Sequence, residues 1–323
     1  MKRINLALFV IFLQIVFLSL YLLFAPINLP VKVESLSLEY NDAVNQLKSL
    51  DSNEGINEQC ESIYMDQGEK SSKLIVFFHG FTNCPRQFVP LGENLFEQGY
   101  NVFIPRIPYH GYKDRLTDKQ SSLSPINLVE FIADITAIAP NLGERVIFSG
   151  ISGGGTMAAW AAINSDSIDK VVLMAPLLLA YDLEPWAHAP IVHLRHFLPE
   201  YYVWWDDELR ETIPGPQYAY PRFSFKSALS FLTLSYDLKV RVDNGSFKNN
   251  SSLEIVHVYT ENDIAVKNEY TDDVLEKWAE KSNIYLSNYG FDASNGFNHD
   301  FIDINQPTAN PDFVYPQLID LLQ

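Results

Sequence analysis

The chain has 323 residues, 47% of them hydrophobic and 13% aromatic, enough for a sizeable core in one large domain or two small ones and against disorder. Its formal net charge of −17 argues against nucleic acid or an anionic membrane surface as the main partner; a solvated acidic surface accounts for it. The sequence has no C-x-x-C or H-E-x-x-H spacing, and its seven histidines do not cluster with Cys60 and Cys84, so no metal is expected.

In chain order, Leu6 to Ala25 carries no charge, and only Gln14, Ser19 and Tyr21 interrupt its apolar character. A helix crossing a bilayer core needs about 20 apolar residues. Lys2 and Arg3 precede the run and the next basic residue is Lys32. This pattern predicts a single-pass anchor over residues 1–25, with the N-terminus cytoplasmic and the body extracytoplasmic. Secretion after signal cleavage is the alternative, but the end of the run, Leu23-Phe24-Ala25-Pro26-Ile27, lacks a small-x-small site. Residues 26–59 read as a stalk or a peripheral helix, with a helix-like run near Asn41 to Leu50. Cys60 and Cys84 form either a disulfide, as an extracytoplasmic body permits, or two buried thiols.

From residue 60 onward, strands and helices alternate. Ser62 to Met65 reads as a short edge strand, and Leu74 to Phe78 as a strand buried on both faces. A helix near Arg86–Gln98, a strand over Asn101–Ile104 and a helix over Pro125–Ala139 follow. Strands over Arg145–Phe148 and Lys170–Met174 flank a helix made largely of small residues. Such βαβα order predicts an α/β fold with a mostly parallel sheet and helices on both faces. Between about residues 176 and 252 the alternation stops. Prolines and aromatics there predict short helices and loops inserted into the sheet order. The β pattern returns at Leu253–Tyr259, with a helix near Glu269–Lys281, a strand at Asn283–Leu286 and a last helix from about Asp312 to Leu322.

The chemistry is concentrated at Gly150-Ile151-Ser152-Gly153-Gly154, directly after the strand Val146-Ile147-Phe148. A G-x-S-x-G turn between strand and helix projects a serine hydroxyl above the sheet, and glycines two residues to either side let neighbouring backbone pass. Serine needs a base, and the base needs a group to orient it. His299 lies in a loop after the last strand, where open α/β sheets carry function, whereas His257 lies inside a strand. Asp263 follows the strand Leu253–Tyr259 by a short loop and is the expected acid, with Glu261 as its rival. The expected oxyanion donors are the backbone N–H groups of Gly153 and Phe81, with Thr82 as the rival of Phe81. His79 is expected to be structural, and His193 with His196 to serve surface or packing roles.

These residues resemble the α/β-hydrolase superfamily, in its esterase, monoacylglycerol lipase and serine-aminopeptidase-like branch. The carriers are His79-Gly80-Phe81-Thr82, Pro105 to Gly111, the serine turn, Asp263-Ile264-Ala265-Val266 and His299, spread over about residues 60–323. The stretch Pro108-Tyr109-His110-Gly111 departs from the commoner P-G-H-G at one position. The resemblance implies an eight-stranded sheet, a cap between the sixth and seventh strands at about 176–252, no cofactor, and Ser152, Asp263 and His299 as a triad. The expected activity is hydrolysis of a small carboxylic ester through an acyl-Ser152 intermediate. The aromatic cap suits an apolar acyl or aryl group, although ordinary cap packing accounts for the same residues. One alternative is a serine peptidase, favoured if Asp206, Asp207 or Glu208 holds a free amine. Another is a non-catalytic binding protein on the same fold.

Overall fold

The computed structural model describes residues 2–30, 33–50, 55–248 and 250–323, with the side chains of residues 2–8 and 22 outside that description. Helix α1 (Lys2–Leu23) and helix α2 (Tyr40–Ser49) come first. Strands β1 (Ile63–Met65) and β2 (Ser71–Phe78), helix α3 (Val89–Glu97), strand β3 (Asn101–Ile104), helix α4 (Pro125–Ile138) and strand β4 (Gly143–Ile151) follow. Helix α5 (Gly153–Ile163) leads to strand β5 (Lys170–Met174). The inserted region holds helix α6 (His188–Leu194), strands β6 (Tyr202–Trp204) and β7 (Arg222–Ser224), and helix α7 (Phe225–Asn244). Strand β8 (Glu254–Thr260), helix α8 (Asn268–Ser282), strand β9 (Tyr285–Phe291) and helix α9 (Pro311–Leu321) complete the chain.

The main sheet has seven strands in the order β1-β3-β2-β4-β5-β8-β9, and only β1 runs antiparallel to its neighbour. β2, β4 and β5 are continuously buried toward their C-terminal ends because helices cover both faces of the sheet there. α5 is buried along its whole length between the sheet and α7, which its Gly-Gly-Gly-Thr-Met-Ala-Ala sequence permits by close approach. Pro125 occupies the first turn of α4, and Ser124 forms a reciprocal capping box with Asn127.

The sheet differs from the eight strands expected. Upstream of β1 the chain forms a 3-10 turn, Glu58–Cys60, fixed by a disulfide to Cys84 in the loop after β2. The chain thus enters β1 from the C-terminal edge of the sheet, and no further strand runs beside it among the described residues. The cap accordingly falls between the fifth and sixth strands of the main sheet. The disulfide also decides between the two readings of the cysteines.

The N-terminal anchor is likewise corrected. Among the described residues, no helix is long and apolar enough to cross a membrane. The end of the helix is fastened to the cap instead: α1 packs on α6, and the His193 Nε2–H donates to the Ala25 carbonyl at 2.8 Å. The segment beyond it is also held down. Buried Leu29 donates its N–H to Asp237 on α7 at 2.9 Å, and Ala43, Val44 and Leu47 of α2 are buried.

Candidate active site

Four loops at the C-terminal ends of β2, β4, β8 and β9 converge on one region. Ser152 follows β4 directly and adopts φ 56°, ψ −121°, a conformation that L-residues rarely take. Its backbone is fixed at both ends: its N–H donates to the Met174 carbonyl, and its carbonyl accepts from Thr156 and Leu177. Two glycines make this turn possible. A Cβ on Gly150 would lie 2.5 Å from the Gly154 backbone, and one on Gly154 would lie 2.0 Å from the Phe78 carbonyl oxygen.

His299 and Asp263 meet after β9 and β8. The His299 Nδ1–H donates to Asp263 Oδ2 at 2.7 Å. The other carboxylate oxygen accepts from the N–H groups of Ala265 at 2.8 Å and Val266 at 3.2 Å. Burial alone would raise the Asp263 carboxyl. The hydrogen bond from His299, the histidine's charge and the two backbone donors outweigh it and hold the carboxyl below its ordinary value. Because Nδ1 carries its proton toward Asp263, Nε2 is left as the lone-pair nitrogen. The rival Glu261 lies apart from the pair, accepting from the Ala293 N–H.

Neither the Phe81 N–H, in the loop after β2, nor the Gly153 N–H, at the start of α5, finds an intramolecular acceptor among the described residues. Phe81 turns its ring onto Phe223 and Phe231 of the cap. Thr82 is tied to the cap twice, accepting the Tyr220 N–H on its carbonyl and the Trp205 indole N–H on its hydroxyl at 3.0 Å. Buried His79 has both ring nitrogens engaged, Nδ1–H donating to Gly80 and Nε2 accepting from the Ile107 N–H. Burial and the neighbouring His110 press its pKa far below the ordinary value, so it stays neutral. His257 is buried in β8 and donates from Nδ1 to Asp272, away from the convergence.

Two cavities share Ser152, His299, Phe81, Trp205 and Ala265 as walls. The larger, about 420 Å³, runs under the cap between apolar side chains that include Leu183, Ile191, Phe223 and Leu232. The smaller, about 250 Å³, is walled by Asn83, Gln87, Arg115, Asp300 and Gln306 together with the Ile213–Pro216 loop. Chain order singles out none of Asn83, Gln87, Arg115 and Gln306, raises Asp300 only as the neighbour of His299, and places Trp205 only among the aromatics of the inserted region. The adjacent Asp300 does not reach back to His299. Its carboxylate turns to Gln306 Nε2 at 2.9 Å and Asn83 Nδ2 at 3.4 Å. The one available signal is the repeated acid at Asp300 and Asp303, spaced so that the Asp303 N–H donates to Asp300 Oδ1. Of the cap acids Asp206, Asp207 and Glu208, none lines either cavity, and Asp206 Oδ1 accepts from the N–H groups of Glu208 and Leu209.

A family model described as the alpha/beta hydrolase fold matches residues 73–282. Similar solved structures include one reported for LipS and LipT, two metagenome-derived lipolytic enzymes, with 15% identity and a TM-score of 0.56, covering 83% of this chain and 98% of that one. A monoacylglycerol lipase from Paleococcus ferrophilus has 15% identity and a TM-score of 0.56, covering 81% of this chain and 97% of that one. A soluble variant of the monoglyceride lipase from Saccharomyces cerevisiae, in complex with a substrate analog, has 13% identity and a TM-score of 0.57, covering 81% and 90%. No curated protein matches the chain. Identities this low speak for the fold alone, but the family model spans more than half of the residues. With the parallel sheet, the serine turn after its central strand and the cap above it, the chain belongs to the α/β hydrolase fold family.

Proposed function

We propose that the protein is a serine hydrolase that cleaves a carboxylic ester through an acyl-Ser152 intermediate. The observation that carries this reading is the 2.7 Å bond from His299 Nδ1 to Asp263, made beside a serine held in a strained turn on the same cavities. A serine hydroxyl is a weak nucleophile until a base accepts its proton. With Nδ1–H committed to the carboxylate, Nε2 is the nitrogen free to accept it. Ser152 Oγ then bonds to the ester carbonyl carbon, and the carbonyl oxygen takes up negative charge. The unpaired N–H groups of Phe81 and Gly153 are the donors to that charge, each worth about 10²–10³ in rate. His299 returns its proton to the departing alcohol, water attacks the acyl-enzyme by the same route, and the acid leaves.

The larger, apolar cavity suits the acyl group, which would bury hydrocarbon against Leu183, Ile191, Phe223 and Leu232 at roughly 25 cal/mol per Å². The ester reading is preferred to the peptidase reading because none of Asp206, Asp207 and Glu208 lines either cavity beside Ser152. A fluorophosphonate probe is expected to label Ser152 and no other residue, and Ser152→Ala should lose both labelling and hydrolysis of p-nitrophenyl butanoate. Turnover that survives in Ser152→Ala would reject this site. A folded wild-type chain that neither labels nor turns over esters would favour the binding-protein reading.

A further inference from the structure

The smaller cavity differs from the larger in one charge. Arg115, in the loop between β3 and α4, is the one Lys or Arg among the described residues lining either cavity. Its guanidinium is positioned from both sides: Nε–H donates to the Ala219 carbonyl at 2.7 Å and one terminal nitrogen to Gln217 Oε1 at 2.9 Å. Neither acceptor is a carboxylate, and among the described residues no carboxylate lies within ion-pair distance. Glu211, whose charge it feels, is exposed and farther off. Many of the other basic side chains of this acidic chain are ion-paired, such as Arg145 and Lys170 with Glu254, and Arg241 with Asp237. A half-buried guanidinium held by neutral acceptors keeps its charge unneutralised and its remaining nitrogen available.

The one carboxylate on the same walls, Asp300, is already served. Oδ2 accepts from Gln306 and Asn83, and Oδ1 from the N–H groups of Ile302 and Asp303. It therefore offers little to a cationic group. The cavity also reaches Ser152 and His299, on walls it shares with the apolar chamber, so it would take the alcohol half of an ester whose acyl half lay under the cap.

We propose that Arg115 recognises a carboxylate on the leaving group, so that the substrate is an apolar acyl ester of a small hydroxycarboxylic acid. This rests on the ester reading of Ser152. The volume of about 250 Å³ holds a compact hydroxy acid. The cation matters because a carboxylate entering this cavity leaves water, and a charge-assisted hydrogen bond compensates that loss where a neutral wall would not. Arg115 binds and orients; it takes no part in the bond changes at Ser152.

The test uses three butanoate esters that differ at one position of the alcohol: butanoyloxyacetate (anionic), 2-hydroxyethyl butanoate (neutral) and butanoylcholine (cationic). Butanoate release by the intact chain is followed for each. The expected result is a kcat/KM for butanoyloxyacetate about tenfold or more above that of the neutral ester, expressed mainly in KM. Arg115→Gln should lower that anionic-to-neutral ratio by about tenfold, and Arg115→Lys should restore part of it. Equal turnover of all three esters would overturn the proposal, as would a preference for butanoylcholine, which would make Asp300 the recognising group. A parallel loss for every ester in Arg115→Gln would reduce Arg115 to a brace for the Gln217–Ala219 loop. The preference of the native chain decides the matter even if the variants fold poorly. Failure of the ester reading is separate: it shows as neutral-ester hydrolysis that survives Ser152→Ala.

Discussion

A methyl group at position 154 would sit 2.0 Å from the Phe78 carbonyl oxygen, and both atoms belong to backbone that the sheet and α5 hold in place. Gly154→Ala is therefore expected to destabilise the chain by about 3 kcal/mol or more and to abolish turnover, measured by the urea midpoint and ester hydrolysis. A variant with an unchanged midpoint would mean that the turn is far softer than its dihedral angles imply. Asp263→Asn tests the neighbouring pair without a change of volume. An amide in place of the carboxylate no longer holds Nδ1–H or stabilises a charged imidazole, so kcat should fall by about 10³–10⁴ with KM little changed. A loss under tenfold would remove Asp263 from the reaction. Ser152, Asp263 and His299 stand out in the sequence because chain order and the ends of apolar runs identify loops on one sheet edge. Arg115, Trp205 and Asp300 do not. Arg115 is positioned from Gln217 and Ala219, and Trp205 by Thr82, contacts between segments about a hundred residues apart that no local pattern encodes.

The disulfide joins two elements that the sheet leaves unpaired: the 3-10 turn Glu58–Cys60 and the loop that runs from Gly80 to Cys84. It closes a sequence separation of 24 residues, for which chain entropy gives roughly 3 kcal/mol. The double variant Cys60→Ser/Cys84→Ser should lose stability on that scale. It should also lose kcat more than KM, because Phe81 and Thr82 lie in the released loop. Thermal unfolding and ester kinetics measure the two effects, and a variant as stable and active as the wild type would make the bond incidental. Among the elements, β3 and β5 begin and end where the sequence predicts, since both are short buried runs closed by a turn or by proline. α7 is the contrary case. Phe225–Asn244 follows a stretch rich in proline and aromatics and mixes its four Leu with Ser, Thr, Val, Phe and Tyr, which are indifferent helix formers, and so it reads as part of the loops and short helices. Its twenty residues become one helix because it packs on α5, α6 and α8, and a Gly245 C-cap ends it. Tertiary burial outweighs propensity there. β9 shows a milder form: its polar stretch Ser287 to Gly290 pairs with β8 at the sheet edge, where one face needs no apolar side chains.

At the scale of the molecule, two buried histidines link the cap and the sheet edge to pH. His110 follows β3, packs against His79, Phe81 and Tyr220, and has an Nε2 without a partner among the described residues. His188 opens α6 between Tyr236 and Tyr270, bonded to the Tyr270 hydroxyl and the Leu232 carbonyl. Burial lowers each from 6.5 to about 4. The unfolded chain takes up these protons below about 6.5, whereas the folded chain refuses them until about 4. Their contribution to stability is thus complete above about pH 7 and is lost as pH falls through that window. At 1.36 kcal/mol per pKa unit each amounts to about 3 kcal/mol, and the two together are a large share of the roughly 5–15 kcal/mol that holds a folded chain together. Urea midpoints measured from pH 7.5 to 4.5 should therefore decline steadily. The decline should be shallower in His188→Gln, which keeps hydrogen-bonding groups near Tyr270 and Leu232 but takes up no proton. Because α6 also receives the end of α1 through His193, the cap should loosen before the sheet does, and ester turnover should fail at a higher pH than the loss of secondary structure. Midpoints that stay level down to pH 4.5 would show that neither imidazole is kept neutral by the fold.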